Sequence, residues 1–335
     1  MVEIARAFTV SCAQARLVIL DEPTSSLDAH TAGQLLGFVR RSVASGISCA
    51  LISHILGEVL ETCDRIVVMR DGKVVAADET GNLDRTKLVA AMGGVASEAR
   101  RAAAADGWAE APIRVRMRAQ RQTDGQDVVA REGEIIGLAG LAGYGQTDLL
   151  LAAFDAATRR RAQSAVDGPV ALVAGDRVSD RVFPQWSIAQ NIGVRSLKAL
   201  RAGLPVSWRL ERALAESWRQ RIRIRTPDVD NAILSLSGGN QQKALFARAL
   251  ASDARVVLMD DPMRGVDYGT KLEVYDLIRA EAATGRTFLW YTTETEELKN
   301  CDRVYVFRNG AVVAELARDE LTEERVIHSS FAEMA

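Results

Sequence analysis

The sequence contains little cysteine and almost no net charge. Its four cysteines, Cys12, Cys49, Cys63 and Cys301, are spread through 335 residues and follow no metal-binding spacing. This scarcity argues against a disulfide framework and favours a reduced, cytoplasmic setting. The formal net charge of −2 gives no basic surface for the phosphates of a duplex, so we expect no nucleic-acid partner.

Long hydrophobic runs are also absent. No stretch approaches the roughly 18 apolar residues of a membrane-spanning helix, and the first residues show no signal-peptide pattern. Any role at a membrane is therefore expected to depend on a partner. Apolar residues make up 48% of the chain and charged residues 26%, as in a globular protein, and the length allows two domains.

The most informative feature that is present is an internal repeat. The segment ARAFTVSCAQARLVILDEPTSSLD at 5–28 returns as ARALASDARVVLMDDPMRGVD at 247–267, and CDRIVVMRDGKVV at 63–75 returns as CDRVYVFRNGAVV at 301–313. Three pairs of residues share one constant spacing: Asp21 with Asp260, Asp28 with Asp267, and His54 with Thr293. The repeat predicts two homologous domains.

The two copies differ in what precedes them. We expect residues 1–93 to form the C-terminal part of a first domain, 94–111 a linker, and 112–335 a complete second domain. By the repeat, a full first domain would begin about 130 residues before Met1. Short, continuous apolar runs, such as 17–20 and 135–138, predict strands that are covered on both faces of an α/β sheet.

A glycine-rich loop follows the predicted strand 135–138. Residues 140–147, GLAGYGQT, fit the template G-x-x-x-x-G-[K]-[ST], in which backbone N–H groups and a helix N-terminus hold phosphates. The candidate nucleotide-binding residues are Gly140, Gly143, Gly145, Gln146, Thr147 and Asp148. The template's lysine is replaced by Gln146, which brings no positive charge, so we expect weaker binding and little stabilisation of transferred charge. A purely structural turn is the alternative.

Two adjacent carboxylates end the apolar run of each copy. Asp21 is a candidate Mg²⁺ residue and Glu22 is a candidate for polarising the attacking water. The second copy has Asp260 as the metal candidate, followed by Asp261, whose carboxylate is withdrawn by about 1 Å. A misplacement of that size can lower a rate by roughly 100-fold. Plain strand caps are the alternative interpretation.

His54 follows the strand predicted over 48–52, where its imidazole would reach a terminal phosphate. A lone histidine is otherwise an ordinary surface or packed residue. The second copy has Thr293 at this place, so the shortened acid, the neutral loop residue and the lost imidazole all occur in the same copy. Asp28 and Asp267 follow the two acid pairs and are further nucleotide-site candidates.

The strongest local signal is LSGGNQQK at 236–243. Two glycines after a serine allow close approach of backbone to an anion, and a helix predicted to begin near Asn240 directs its N-terminal dipole at that anion. The binding candidates here are Ser237, Gly238, Gly239, Asn240 and Gln241. A flexible loop is the alternative, but it would not need the helix and the acidic strand end that follow.

LSGGNQQK, VILDEPTSSLD, ISH and VLMDDPMRGVD resemble the signature, Walker B, D-loop and switch regions of ATP-binding cassette proteins. GEIIGLAGLAGYGQTDLL and AGDRV resemble the second domain of the tandem ATPases that energise ribose-, galactose- and arabinose-type sugar importers. The resemblance implies a P-loop NTPase fold of the ATP-binding cassette type, with one partial and one complete domain. It further implies ATP and Mg²⁺ as cofactors, an integral membrane sugar permease as partner, a solute-binding protein in the same system, and a peripheral location on the cytoplasmic face of the inner membrane.

In this family two domains meet head to tail, each ATP lying between the P-loop of one and the signature of the other. The resemblance then implies two sites. One combines Asp21, Glu22 and His54 with residues 237–241 and requires a P-loop from outside this sequence, for which a separate first-half polypeptide is a candidate. The other combines residues 140–147, Asp260 and Asp261 with a signature from outside it. We expect residues 1–335 alone to be inactive.

Three functions are compatible with the residues. The first is ATP-driven uptake of a simple sugar or polyol. The second is a non-catalytic nucleotide-binding scaffold or inactive fragment, and the third is a soluble tandem ATPase acting on ribosomes. The cargo is not encoded in these motifs, and the apolar cluster Phe183, Pro184 and Trp186 is either a permease-docking surface or core.

We also expect the first copy to have a lower local stability than the second. We place the P-loop strand of a complete domain beside the strand that ends at Asp21, so residues 17–20 would lack that neighbour.

Overall fold

The computed structural model describes residues 16–24, 27, 29–53, 55–70, 72–92, 110–123, 125–159, 165–174, 182–201 and 205–331. The chain divides into two compact units, one of residues 1–103 with 267–269 and one of residues 104–266 with 270–335. Asp28, His54 and all but the last two residues of the expected linker 94–111 lie outside the described residues.

The described residues of the first unit form two pairs of strands and three helices. Strand β1 (Leu17–Asp21) pairs in parallel with β2 (Ser48–Ile52), and β3 (Arg65–Arg70) pairs antiparallel with β4 (Lys73–Glu79). The helices are α1 (Ala29–Ala44), α2 (Leu56–Thr62) and α3 (Arg85–Ala91). Strands β1 and β2 lie where the apolar run at 17–20 and the segment 48–52 predict them.

Only one face of β1 is buried. Val18 and Leu20 pack with Val39 of α1, whereas Leu17 and Ile19 are 58% and 64% exposed. The apolar run therefore does not mark a strand covered on both faces in this unit, although that pattern was expected from its composition.

The second unit is built on a six-stranded sheet. Its order is β12–β11–β7–β10–β9–β8, with β11 and β12 antiparallel and the other neighbours parallel. The strands are β7 (Ile135–Ala139), β8 (Val170–Val173), β9 (Val256–Asp260), β10 (Thr287–Tyr291), β11 (Arg303–Arg308) and β12 (Ala311–Ala317). A separate antiparallel pair consists of β5 (Ile113–Met117) and β6 (Val128–Arg131).

Seven helices of the described residues accompany this sheet. They are α4 (Gln146–Arg159), α5 (Ile188–Gly193), α6 (Trp208–Arg221), α7 (Gly238–Leu250), α8 (Tyr268–Ala282), α9 (Thr295–Leu298) and α10 (Glu323–Phe331). Core clusters cover both faces of the sheet, and every residue of β7 and β10 is buried. The mixed α/β architecture confirms the predicted fold class. None of the helices in the described part of the chain has the length and apolar character needed to cross a bilayer.

The strand order corrects one expectation. We had placed the P-loop strand beside the acid-bearing strand, but β7 lies between β10 and β11, and β9 lies between β10 and β8. Apolar composition shows that a strand is central but does not identify its neighbours. By the repeat, β10 and β11 correspond to β2 and β3, which in the described residues of the first unit belong to separate two-stranded sheets.

These differences predict that β1 exchanges its amide hydrogens faster than β9. In the described residues β1 has one hydrogen-bonded neighbour and three of its five side chains are exposed, whereas β9 has two neighbours and a buried face on each side. Hydrogen-exchange mass spectrometry on peptides covering 17–21 and 256–260 measures this. Equal protection of the two peptides would contradict the prediction.

Candidate functional site

The glycine-rich loop leaves the buried end of β7 and enters α4. Gly140, Gly143 and Gly145 all have positive φ angles, of 129°, 83° and 101°. A Cβ atom on Gly140 would lie 2.4 Å from the carbonyl oxygen of Phe307, and one on Gly145 would lie 3.0 Å from Cα of Gly310. The loop is therefore packed against the β11–β12 turn so closely that glycine is required.

Gln146 begins α4 and points back into this loop. Its side chain is 1% exposed, and Nε2 donates hydrogen bonds to the carbonyl oxygens of Ala139 and Leu141, both at 3.2 Å. A primary amide has two N–H groups, so both are engaged by the loop itself. The Gln146 side chain therefore stabilises the conformation of the loop, an arrangement that sequence analysis did not predict.

Thr147 and Asp260 come together where α4 meets the end of β9. The Thr147 hydroxyl donates to Oδ1 of Asp260 at 2.8 Å. A hydroxyl and a carboxylate oxygen are the protein ligands that Mg²⁺ takes in P-loop NTPases. No group of three histidine, cysteine or acidic side chains suited to a metal occurs among the described residues. A magnesium ion here would therefore complete its shell with water and phosphate oxygens, and Asp148 lies exposed in the same helical turn.

Asp261 follows directly and faces the loop after β10. It is 8% exposed, with φ of 45°, and its backbone N–H donates to the Tyr291 carbonyl oxygen at 2.8 Å. The Thr293 hydroxyl donates to Oδ2 at 3.2 Å and the Thr293 N–H to Oδ1 at 3.4 Å. Burial raises the pKa of the Asp261 carboxyl, and burial together with the charge of Asp261 raises the pKa of Tyr291 to about 12.

Glu22 has the same backbone geometry in the first unit. Its φ is also 45°, and its N–H donates to the Ile52 carbonyl oxygen at 2.8 Å. Positive φ is uncommon for a residue other than glycine, so its occurrence at both acids marks a constrained turn. Asp21 before it is exposed. The repeat thus places both candidate acids on one kind of turn, with a longer side chain in the first copy.

The loops after β2 and β10 share a further pattern that sequence analysis missed. Ser53 donates its hydroxyl hydrogen to Glu58 at 3.3 Å, and Thr292 donates to Glu297 at 2.7 Å. These residues occupy equivalent places in the repeat, which is the signal that could have revealed them. In the second copy Lys271 adds ion pairs to Glu294 and Glu297, and burial raises the pKa of Glu297 to about 7.

The signature forms an exposed helix start. Helix α7 begins at Gly238, two residues earlier than predicted, with Ser237 as its N-cap residue. Asn240 Nδ2 donates to the Ser237 hydroxyl at 2.9 Å, and Gln241 Nε2 donates to the Leu236 carbonyl oxygen at 2.8 Å. These side chains shape the turn, while the first backbone N–H groups of the helix are left for an anion.

Asp267 is exposed immediately before α8. The structure therefore brings residues 140–147, Asp260 and Asp261 into one region of the second unit. Asp21 and Glu22 form the matching turn of the first unit, and the roles assigned to all these residues stay predictions.

We expect Gln146→Lys to tighten ATP binding about tenfold to 100-fold. A lysine ammonium can bond to the same loop carbonyls and keep one donor for phosphate, and a hydrogen bond to a charged group contributes about 1.5–3 kcal/mol. Fluorescent nucleotide titration measures this, with Gln220→Lys on exposed α6 as the matched control. Equal affinities of wild type and Gln146→Lys would contradict the prediction.

We expect Asp261→Asn to stabilise the protein at neutral pH. Because burial raises the pKa of Asp261 above its unfolded value, the ionised carboxylate destabilises the native state once the pH exceeds that raised pKa. Below the pKa that Asp261 has in the unfolded chain, the carboxyl is protonated in both the folded and the unfolded protein, so Asp261→Asn no longer adds stability. Thermal unfolding at several pH values tests this, and a gain that grows as the pH falls would disprove it.

The chain resembles known proteins along nearly its whole length. The sequence profile described as ABC transporter matches residues 124–264. The chain is 37% identical to the ribose import ATP-binding protein RbsA 2 of Rhizobium meliloti (strain 1021), covering 98% of this chain and 67% of that protein. It is 38% identical to the ribose import ATP-binding protein RbsA 3 of Rubrobacter xylanophilus, covering 97% of this chain and 68% of that protein.

The solved structure of cbiO1 from Clostridium perfringens, part of the ABC transporter complex cbiONQ, shares the fold with a TM-score of 0.51. The two chains are 19% identical, and the match covers 64% of this chain and 92% of that chain. This likeness supports the architecture alone, whereas the relatives above share sequence over almost all of the chain. The chain therefore belongs to the ATP-binding cassette family, in the branch that contains these import ATP-binding proteins.

Proposed function

We propose that this chain is an ATP-binding subunit that energises uptake of a simple sugar or polyol through a membrane permease. The observation that carries the proposal is its 37–38% identity, over 97–98% of its length, to proteins named for ribose import. Nothing in the comparisons supports an ATPase that acts on ribosomes. A nucleotide-binding role with little turnover is proposed for one site only, because the Gln146 amide is engaged within its own loop.

The two nucleotide sites are proposed to be unequal. Asp21, Glu22 and His54 would serve the hydrolytic site, while residues 140–147, Asp260 and Asp261 would serve a site that binds nucleotide and turns it over slowly. Support for this division comes from Asp261, which is short, buried and bonded to Thr293. A carboxylate held in this way is poorly placed to align water.

Mg²⁺ is proposed to bind at Thr147 and Asp260. When bound, the ion would neutralise charge on the phosphates of ATP. The protein's part is to hold the hydroxyl and the carboxylate oxygen next to one another at the end of β9, as the 2.8 Å contact between them does. The backbone N–H groups at the start of α4 would hold the phosphates themselves.

The permease is proposed to dock in an open groove beside α5 and α6. The groove has a volume of about 260 Å³ and is lined by the apolar Trp186, Leu197, Val206 and Trp208 and the polar Gln190 and Glu211. Trp208 is 67% exposed and Trp186 39% exposed, which is unusual for large aromatic side chains unless a partner covers them. This surface would bring the subunit to the cytoplasmic face of the membrane, in a system that includes a solute-binding protein.

The proposal predicts that Glu22 and Asp261 contribute unequally to transport. In the transporter reconstituted with its permease and with a first-half polypeptide that supplies the other P-loop and signature, Glu22→Gln should remove nearly all ATP hydrolysis and sugar uptake, because the long acid is the one able to polarise water. Asp261→Asn should leave most of both activities. Phosphate release and radiolabelled sugar uptake are measured in the same vesicles, and equal losses would contradict the division of roles.

A further inference from the structure

The buried side chain of Asn191 fixes the loop 183–187, which carries the aromatic residues Phe183 and Trp186 next to the groove. Asn191, 1% exposed on α5, accepts a hydrogen bond from the Phe183 N–H at 2.9 Å through Oδ1. Its Nδ2 donates to the carbonyl oxygens of Phe183 at 3.1 Å and Ser187 at 3.0 Å. The rings of Phe183 and Trp186 stack with centroids 4.3 Å apart. Asn191 therefore fixes the backbone that presents both rings.

Arg248 of α7 donates hydrogen bonds to both the backbone and the side chain of Asn191. Its Nε donates to the Asn191 carbonyl oxygen and its Nη2 to Asn191 Oδ1, both at 2.7 Å, and the guanidinium carbon lies 5.4 Å from the centroid of the Phe183 ring. Burial lowers the pKa of Arg248 to about 10, which still leaves it charged at neutral pH. Because two nitrogens of the guanidinium donate to two oxygens of Asn191, the relative orientation of the two residues is fixed as well as their distance.

The same helix carries the signature at its other end. Helix α7 runs without interruption from Gly238 to Leu250, and the ten residue steps from Gly238 to Arg248 rise about 15 Å. The six consecutive positions 242–247 are buried, as are Ala249 and Leu250, so the helix is packed as one rigid rod. A displacement of its first turn therefore displaces Arg248 as well.

We propose that Arg248 and Asn191 are positioning residues that couple the nucleotide-facing start of α7 to the aromatic groove. When a nucleotide engages the first turn of α7, the helix carries Asn191 and the loop 183–187 with it, so the groove and its occupant move. The coupling to transport rests on the proposed function, since it requires the permease to occupy the groove. The mechanical link between α7 and the loop does not.

Arg248→Lys tests the link because it keeps the charge and removes the fork. With the permease and a first-half polypeptide present, we expect about tenfold less sugar uptake per ATP hydrolysed, the effect of one lost charge-assisted hydrogen bond, while nucleotide affinity is unchanged. The matched control is Arg219→Lys on α6, whose guanidinium makes a similar fork with Glu216 but does not reach α7. A ratio of uptake to hydrolysis that is the same in both variants would overturn the proposal.

Hydrogen exchange tests the link without the permease. Adding ATP and Mg²⁺ to the wild-type protein, together with a first-half polypeptide that supplies the P-loop facing α7, should change exchange over 182–194, and Arg248→Lys should abolish that change. If Arg248→Lys fails to fold, Asn191→Asp serves instead, because it keeps the acceptor for Arg248 but loses the Nδ2 donor. A nucleotide response that persists in the folded variant overturns the inference. Absence of permease binding by the wild type overturns the proposed function instead.

Discussion

Strand β7 bonds to a parallel neighbour on each edge, and the rest of the nucleotide region depends on that position. The Ile135 N–H at its start donates to the buried carboxylate of Asp302 at 2.9 Å, which joins the strand to the segment before β11. Its other end delivers the glycine loop against Phe307 and Gly310 of the β11–β12 turn. Two distant stretches of chain must therefore both be folded before the loop has its shape.

Features that depend on a few neighbouring residues could be predicted from the sequence, whereas features that depend on contacts made in the folded protein could not. The strands ending at Asp21 and Asp260 and the signature helix were predicted because apolar runs, acid pairs and glycines are read within a few residues. The orientation of Gln146 was not, because its partners are carbonyl groups displayed by the folded loop. The neighbours of β7 were misplaced for a similar reason: strand order is a property of the tertiary fold.

The exposed half of β1 shows how the same pattern yields different environments. Leu17 and Ile19 are exposed, whereas Val256 and Leu258, their repeat equivalents, are fully buried. Composition specifies a strand, and its surroundings decide how many of its faces are covered. The turns at Glu22 and Asp261, unlike the exposure of the strands before them, are the same in both units. Each turn depends on one hydrogen bond from the acid's backbone N–H to the adjacent parallel strand.

The buried lysine of the second unit limits how the two copies can be recombined. Lys271 is 2% exposed and its ammonium group lies between Glu294 and Glu297, whereas its repeat equivalent in the first copy is Ala32. The first copy keeps Glu58 at the position of Glu297 but has Ile55 at the position of Glu294. A chimera that transplants only helix α8 would therefore give the ammonium one carboxylate in place of two, and one that transplants only the loop would add a carboxylate with no lysine beside it. Helix and loop must be exchanged together if both ion pairs are to be kept.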